Sequence, residues 1–251
     1  MPGFFIDNCE NISDTVITIC GEDARHISRS LRMKVGEMLD VSDFSGYKYS
    51  CRISGFTDDE VKLEILEKKL CESEPSVKVR IFQALPIGDK LDTVIQKCTE
   101  LGAYDYTPVL TSRCISRPDE KSAKKKVERW QKISAEAAKQ CGRGIIPKVN
   151  EVCTFEEAIN EMSECTLALM CYECEDGYSI GKCITENLES LGKGASVSVF
   201  IGPEGGIAPG EAEKAKNAGI VTVGLGKRIL RTETAPIFAV SAVMLLTGNC
   251  E

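Results

Sequence analysis

Up to about residue 72, apolar and polar positions alternate in short runs. Phe4 to Ile6, Val16 to Ile19, Met38 to Asp43, Tyr47 to Ile53 and Val61 to Leu66 each fit a half-buried strand. Ser45-Gly46 supplies a hairpin turn between the third and fourth runs. One segment breaks the alternation: EDARHISRSLRMKVGE, beginning at Glu22, reads as a short helix and loop carrying Arg25, His26, Arg29, Arg32 and Lys34. This pattern predicts a small β-barrel with one basic loop over residues 1–72.

CESEPS, Cys71 to Ser76, is the expected linker, because its Glu, Ser and Pro residues cannot fill a core. Beyond it the period changes. Val77 to Leu85 fits a buried strand. Gly88 to Gly102 fits an amphipathic helix with Leu91, Val94, Ile95, Cys98 and Leu101 on one face. Asp105 to Leu110 follows as a strand, and Asp119 to Cys141 as a long helix, basic over its first half and closed by Cys141-Gly142-Arg143-Gly144. Thr154 to Met162 reads as a helix and Thr166 to Cys171 as a strand. Residues 175–194 show no clear pattern. The last apolar segment, AVSAVMLLTG at 239–248, suits a buried core helix or a dimer interface. Alternating strands and helices predict an α/β domain with a mostly parallel sheet over residues 76–251.

Residues 197–236 hold the densest punctuation. Val197, Val199 and Ile201 form a strand that Gly202, Pro203, Gly205 and Gly206 break at once. Pro209 opens a helix, where its missing N–H costs nothing, and Gly219 closes it. Ile220 to Val223 is a second strand, ended by Leu225-Gly226. Two such turns are expected side by side at the carboxyl edge of a parallel sheet, where open α/β sheets bind ligands. No GK[ST] follows the glycines, and the spacing is not GxGxxG, so nucleotide-triphosphate and dinucleotide loops are disfavoured. The second turn packs Lys227, Arg228, Arg231 and Glu233 between apolar segments.

Composition limits the alternatives. Of 251 residues, 43% are apolar and 27% charged, which suits a globular protein. No apolar run reaches the roughly 18 residues of a membrane span, and the first residues lack a signal-peptide pattern. The thirteen cysteines are scattered and odd in number, consistent with reduced thiols in a cytoplasmic chain. Cys171 and Cys174 form a lone CxxC, and His26 is the single histidine, so no metal site is expected. The net charge of −7 conceals a basic middle: −6 over residues 1–75, +7 over 76–148 and −8 over 149–251. A local phosphate-binding face would have that distribution.

IGPEGGIAPGE (201–211) and LGKRILRTETA (225–235) resemble the signature of the 16S ribosomal RNA (uracil-N3)-methyltransferase family of the SPOUT superfamily. The resemblance extends to H-x-x-x-x-L-R-x-x-x-G-E from His26, to TSRC at 111–114 and to WQKISAEAAKQCGR at 130–143. It implies an N-terminal PUA-like RNA-binding domain and a C-terminal SPOUT domain with a deep trefoil knot at about 195–240. It implies S-adenosylmethionine as cofactor, a homodimer, and 16S ribosomal RNA or the 30S subunit as partner, with no metal and no membrane. By resemblance the cofactor is held by Ile201, Gly202, Pro203, Glu204, Gly205 and Gly206, and by Leu225, Gly226, Arg228, Ile229, Leu230, Arg231, Thr232 and Ala235. Leu169 and Met170 are the expected third wall.

The implied reaction methylates N3 of a uridine, which carries a proton and is a poor nucleophile. A guanidinium beside the ring favours the N3 anion by charge and paired hydrogen bonds. Arg231 and Arg228 are the candidates, Arg231 first, and Glu204 and Glu233 are candidates for the base. An ion pair of Arg231 with either glutamate is the structural alternative. Arg25, His26, Arg29, Arg32, Arg113, Lys124, Lys125 and Arg143 are the expected RNA contacts. Two other functions share this fold: a non-catalytic RNA-binding or assembly factor, and a methyltransferase acting elsewhere, for example on a ribose 2′-oxygen.

Overall fold

The computed structural model describes residues 3–6, 12–43 and 46–250. Ser45 of the expected hairpin turn lies outside them. The chain divides into two compact units, Met1–Glu74 with Ala138–Ile146, and Pro75–Ala137 with Pro147–Glu251.

In the first unit the alternating runs become β1 (Gly3–Ile6), β2 (Val16–Cys20), β3 (Met38–Asp43), β4 (Tyr47–Phe56) and β5 (Glu60–Leu70). The break in alternation is α1 (Gly21–Arg25), which runs into a π-helical turn at His26–Ser30. The five strands form one sheet in the order β1-β3-β4-β5-β2, antiparallel except for β1 beside β3. Leu39, Val41, Tyr49, Cys51, Ile53, Val61 and Leu63 share the buried face with Ile17 and Ile19. Bulges at Ser50/Cys51 and Ile53/Gly55 bend β4 against β5. Among the described residues the short end strands β1 and β2 do not pair, so the small barrel expected from the strand pattern takes the form of a curled half-barrel.

The expected linker is tied down within this unit. The Glu74 carboxylate accepts hydrogen bonds from Arg143 at 2.8 and 3.1 Å and from the N–H groups of Gly144 and Ile145. The turn at 141–146 is therefore organised around one acidic residue that reads, in sequence, as solvent-facing.

The second unit contains β6 (Lys78–Ala84), α2 (Lys90–Glu100), β7 (Ala103–Leu110), α3 (Glu120–Cys141, whose last turn belongs to the first unit), β8 (Lys148–Val149), β9 (Cys153–Thr154) and α4 (Phe155–Ser163). Then come β10 (Leu167–Cys171), α5 (Ile180–Glu186), β11 (Ser196–Ile201), α6 (Pro209–Asn217), β12 (Val221–Val223) and α7 (Thr234–Leu246). The seven strands are parallel in the order β12-β10-β11-β6-β7-β8, with β9 also on β7. Every residue of β10 is buried, as a strand covered on both faces requires. The patternless stretch 175–194 contains α5, capped by the Ser179 side chain and anchored by Ile180, Cys183 and Ile184. Its seven residues are too few to display a helical period.

The strand order departs from the sequence expectation in one respect. The turns after β11 and β12 are not side by side, because β10 lies between their strands. The register pairs Cys171 with Ile201 on one side and with Val223 on the other. Three strands therefore end level, and three loops, not two, rise from the same stretch of the carboxyl edge. Beneath them α7 buries Ala239, Val240 and Val243 completely, while Phe238 and Leu245 stay 45% and 68% exposed. The final helix thus has a core face and an outer apolar face. No helix among the described residues is long and apolar enough to cross a membrane.

Candidate active site

A cavity of about 610 Å³ opens above β11, β10 and β12. Its walls are the three loops that follow those strands: 202–208, 172–179 and 224–233.

The first loop carries the glycines. Gly206 N–H donates to the Pro203 carbonyl at 2.9 Å, which closes a tight turn, and Gly206 sits at φ +69°, where side chains are disfavoured. A Cβ there would lie 1.9 Å from Glu173 Oε1, and one on Gly202 would lie 2.8 Å from Ile207 Cγ1. Five groups from elsewhere hold this loop. Arg113 Nη1 donates to the carbonyls of Gly205 and Ile207 at 2.9 and 3.3 Å. Glu173 accepts from Ile207 N–H at 3.0 Å. Glu204 Oε1 accepts from Lys90 Nζ at 2.6 Å and from Ile87 N–H at 3.0 Å. Thr232 donates to the Gly202 carbonyl at 2.7 Å and accepts from the buried Gln83 amide at 2.9 Å.

Glu204 is thereby committed. Partial burial pushes its carboxyl upward, but the bonds from Lys90 and from backbone N–H groups outweigh burial and hold it below the usual range. The middle loop contributes Cys171 at its base, whose thiol burial pushes up to about 12, so it stays neutral. Glu175 of the same loop accepts from Thr222 at 2.8 Å.

The loop after β12 is different. Gly224 N–H bonds to Tyr178 O at 2.9 Å and Gly226 adopts φ +105°, but the segment beyond carries Ile229 at 91% exposure. The Arg231 side chain is 83% exposed, and its Nη1 stands 3.9 Å from Glu233 Oε1, with no hydrogen bond between them. A pair that open is worth little, so Arg231 is not consumed structurally. The Arg231 carbonyl starts α7 by accepting from Thr234 and Ala235 N–H.

The cavity brings together fifteen sequence candidates: Ile201 to Gly206, Leu225, Gly226 and Arg228 to Glu233, with Ala235. Leu169 and Met170 do not reach it, being fully buried inside β10; the middle wall begins one residue later, at Cys171. Lys90, Glu173, Glu175 and Asp176 line it as well, and none of them is a sequence candidate. Of the RNA candidates, Arg25, His26, Arg29, Arg32 and Lys125 are exposed, while Lys124 pairs with Glu120 at 2.8 Å. Arg113 serves the glycine loop. Arg143 is only 4% exposed and paired with Glu74, so burial removes it as a phosphate contact. Much of the basic middle is likewise paired: Arg80 with Asp105 and Glu161, Arg129 with Asp89 and Asp92.

Residues 72–244 match a family model described as an RNA methyltransferase domain, and residues 19–66 match an RNA methyltransferase PUA domain. Ribosomal RNA small subunit methyltransferase E of Bacillus subtilis is 37% identical over 92% of this chain and 90% of its own length. The chain belongs to the ribosomal RNA small subunit methyltransferase E family. A second member, from Synechocystis, is 32% identical over 94% of this chain and 75% of its own. The crystal structure of the Neisseria gonorrhoeae member, bound to S-adenosyl methionine, superposes with a TM-score of 0.83 at 31% identity, covering 98% of each chain.

Proposed function

We propose that this chain transfers a methyl group from S-adenosylmethionine to N3 of a uridine in 16S ribosomal RNA of the small subunit. The observation that carries the reading is the convergence of both signature loops on one cavity with the Arg231 guanidinium left open to it. The residues present fit such a cofactor. The cavity has the size of a small-molecule site, and its glycines allow a flat ligand to approach peptide groups that side chains would otherwise cover. Backbone groups of 201–206 and 225–232 would hold it without a charged side chain. When bound, it supplies a methyl group activated by a sulfonium.

The protein's own part is to orient the uracil and favour its N3 anion. In this reading Arg231 does so, with Arg228 beside it; both line the cavity. N3 lies on the Watson–Crick edge, so the target uridine is unpaired or flipped out when it reacts. The exposed Arg25, Arg29 and Arg32, with Lys125, would position the RNA through phosphates. Arg32 is also the one non-glycine residue at positive φ among those described, at +54°.

The same reading assigns residues 1–72 to RNA binding and 76–251 to catalysis, with a trefoil knot at about 195–240. It pairs two copies through the outer apolar face of α7, where Phe238, Leu245 and Leu246 are exposed, and places the enzyme in the cytoplasm with its ribosomal substrate. The test is in vitro methylation of small subunits lacking the modification, followed by mass mapping of their 16S RNA. A single N3-methyluridine is expected; a ribose methyl or no product rejects the reading.

A further inference from the structure

Among the described residues, two buried side-chain oxygens have no hydrogen-bond partner: Gln83 Oε1 and Glu233 Oε2. They flank Thr232, which bonds to Gln83 and is followed by Glu233. Only Glu233 lines the cavity. A buried acceptor without a donor costs free energy comparable to a lost hydrogen bond. Glu233 still keeps 21% of its side chain exposed at the cavity, so a donor brought by a ligand would meet its other oxygen, Oε1, the one that faces Arg231.

The other carboxylates of the cavity are accounted for differently. Glu204 is engaged by Lys90 and Ile87, Glu173 by Ile207 and Glu175 by Thr222. Asp176 is exposed to solvent. Glu233 combines a carboxylate open to the cavity through Oε1 with a position two residues from Arg231, whose guanidinium remains open. An acceptor beside a cation matches the imide edge of uracil, where the N3–H donor sits between two carbonyl acceptors. Cytosine, with no proton on N3, does not match it.

Resting on the N3 reading above, we propose that Glu233 is the group that takes the N3 proton, and that Glu204 has no part in the chemistry. The N3–H bond breaks toward the Glu233 carboxylate, and the nitrogen keeps the electron pair. That pair forms the new bond to the methyl carbon, while the carbon–sulfur pair leaves with sulfur as a neutral thioether. The proton on Glu233 passes to water as product departs. Arg231 stabilises the charge on the uracil carbonyl during the step.

The experiment uses the full chain and its Glu233→Gln and Glu233→Asp variants on small-subunit RNA under single turnover. Wild type is first checked for N3-methyluridine by mass; its absence sinks the N3 reading itself, whereas a failure of Glu233 as the base shows only in the variants. Glu233→Gln should lower the methylation rate by about 10²- to 10⁴-fold, the usual contribution of a positioned base. Affinity for S-adenosylhomocysteine, read by calorimetry, should stay within about threefold of wild type for a catalytic effect of that size. Glu233→Asp should recover part of the rate. RNA carrying 5-fluorouridine, whose N3–H is more acidic, should shrink the Gln variant's deficit, because a weaker base then suffices. A Gln variant within about tenfold of wild type overturns the proposal, being below what such a group contributes. So does a matching loss of S-adenosylhomocysteine affinity, which would make Glu233 a cofactor ligand, and so does a deficit equally deep on fluorinated RNA.

Discussion

The loop after β11 and the loop after β12 face each other across one cavity and are built on opposite principles. Residues 202–208 are fixed by Arg113, Glu173, the Lys90–Glu204 pair and Thr232, each from a different part of the domain. Residues 224–233 are fixed at their two ends and leave Ile229 and Arg231 exposed between. The first arrangement preorganises a backbone surface, which is what recognition through peptide groups needs. The second presents side chains whose remaining partners must come from the substrate. Substitutions in the first loop and its supports should therefore act mainly on cofactor affinity, whereas the exposed side chains of the second, whose backbone also faces the cofactor, should act mainly on chemistry.

The largest expected effect tests the rigid side. Gly206→Val places a branched side chain at φ +69° and against Glu173 Oε1. The turn cannot keep its shape, and affinity for S-adenosylhomocysteine should fall by roughly 10²-fold or more, the strain and overpacking each being of order 1–3 kcal/mol. Gly205→Val should be milder, since a Cβ there meets Arg113 Cβ at 3.4 Å, an ordinary van der Waals contact, and Gly205 is not at positive φ. Equal affinity losses in the two variants, by calorimetry on folded protein, would contradict this ranking.

Next comes the open side. Arg231→Ala should reduce the single-turnover rate by about 10²- to 10³-fold, the usual cost of one electrostatic donor, with cofactor affinity unchanged. Arg231→Lys should recover only part, because a point charge does not match two ring acceptors. If Arg231→Ala instead loses cofactor affinity and melts lower, the two loops do not divide the work as argued.

The contrast also explains what the sequence can disclose. Fifteen candidates meet in the cavity because they lie in two short continuous segments whose turn chemistry is local. The supports escape a sequence reading because they come from elsewhere: Lys90 begins α2, Arg113 follows β7 and Glu173 follows β10. Nothing in the local patterns of Lys90 and Glu173 separates them from ordinary surface charges, and the TSRC stretch that holds Arg113 does not tell which partner it meets. Arg113 and Arg143 read as phosphate contacts for that reason; tertiary structure gives one to a backbone loop and the other to Glu74. The strands of the half-barrel are legible as alternation, yet its openness depends on pairing between β1 and β2 that no periodicity encodes. The position of β10 between the two signature strands is equally invisible, and with it the third wall.

Arg113 gives a smaller and more selective effect. Arg113→Ala removes two hydrogen bonds to the carbonyls of Gly205 and Ile207. Charge-assisted bonds of this kind contribute about 1.5–3 kcal/mol, and part of that is recovered by water at this exposed site. Affinity for S-adenosylhomocysteine should drop by about tenfold, equivalent to some 1.4 kcal/mol. Binding to RNA should keep its salt dependence if Arg113 makes no phosphate contact. A flattened salt slope with intact cofactor affinity would return Arg113 to the RNA face.

The smallest effect concerns pH. Glu204 has its carboxyl lowered in the folded protein: burial raises it, but Lys90 and the N–H groups it accepts from lower it further. A carboxyl lowered by folding adds stability above its unfolded value and loses it as pH falls through its folded value. The ordinary glutamate value is 4.5, so the contribution is complete near neutrality and disappears below that pH. The pair is partly solvated, with Lys90 at 35% and Glu204 at 26% side-chain exposure, so screening keeps the magnitude small. Glu204→Gln should melt slightly lower than wild type at neutral pH and converge with it as the solution is acidified below 4.5. The same variant should retain its methylation rate at saturating cofactor, because its carboxylate holds a loop and takes no proton. Thermal melts at stepped pH, paired with single-turnover rates at neutral pH, read both quantities on one protein. A rate loss on the scale of Glu233→Gln, with melting curves parallel to wild type at every pH, would exchange the roles of the two glutamates.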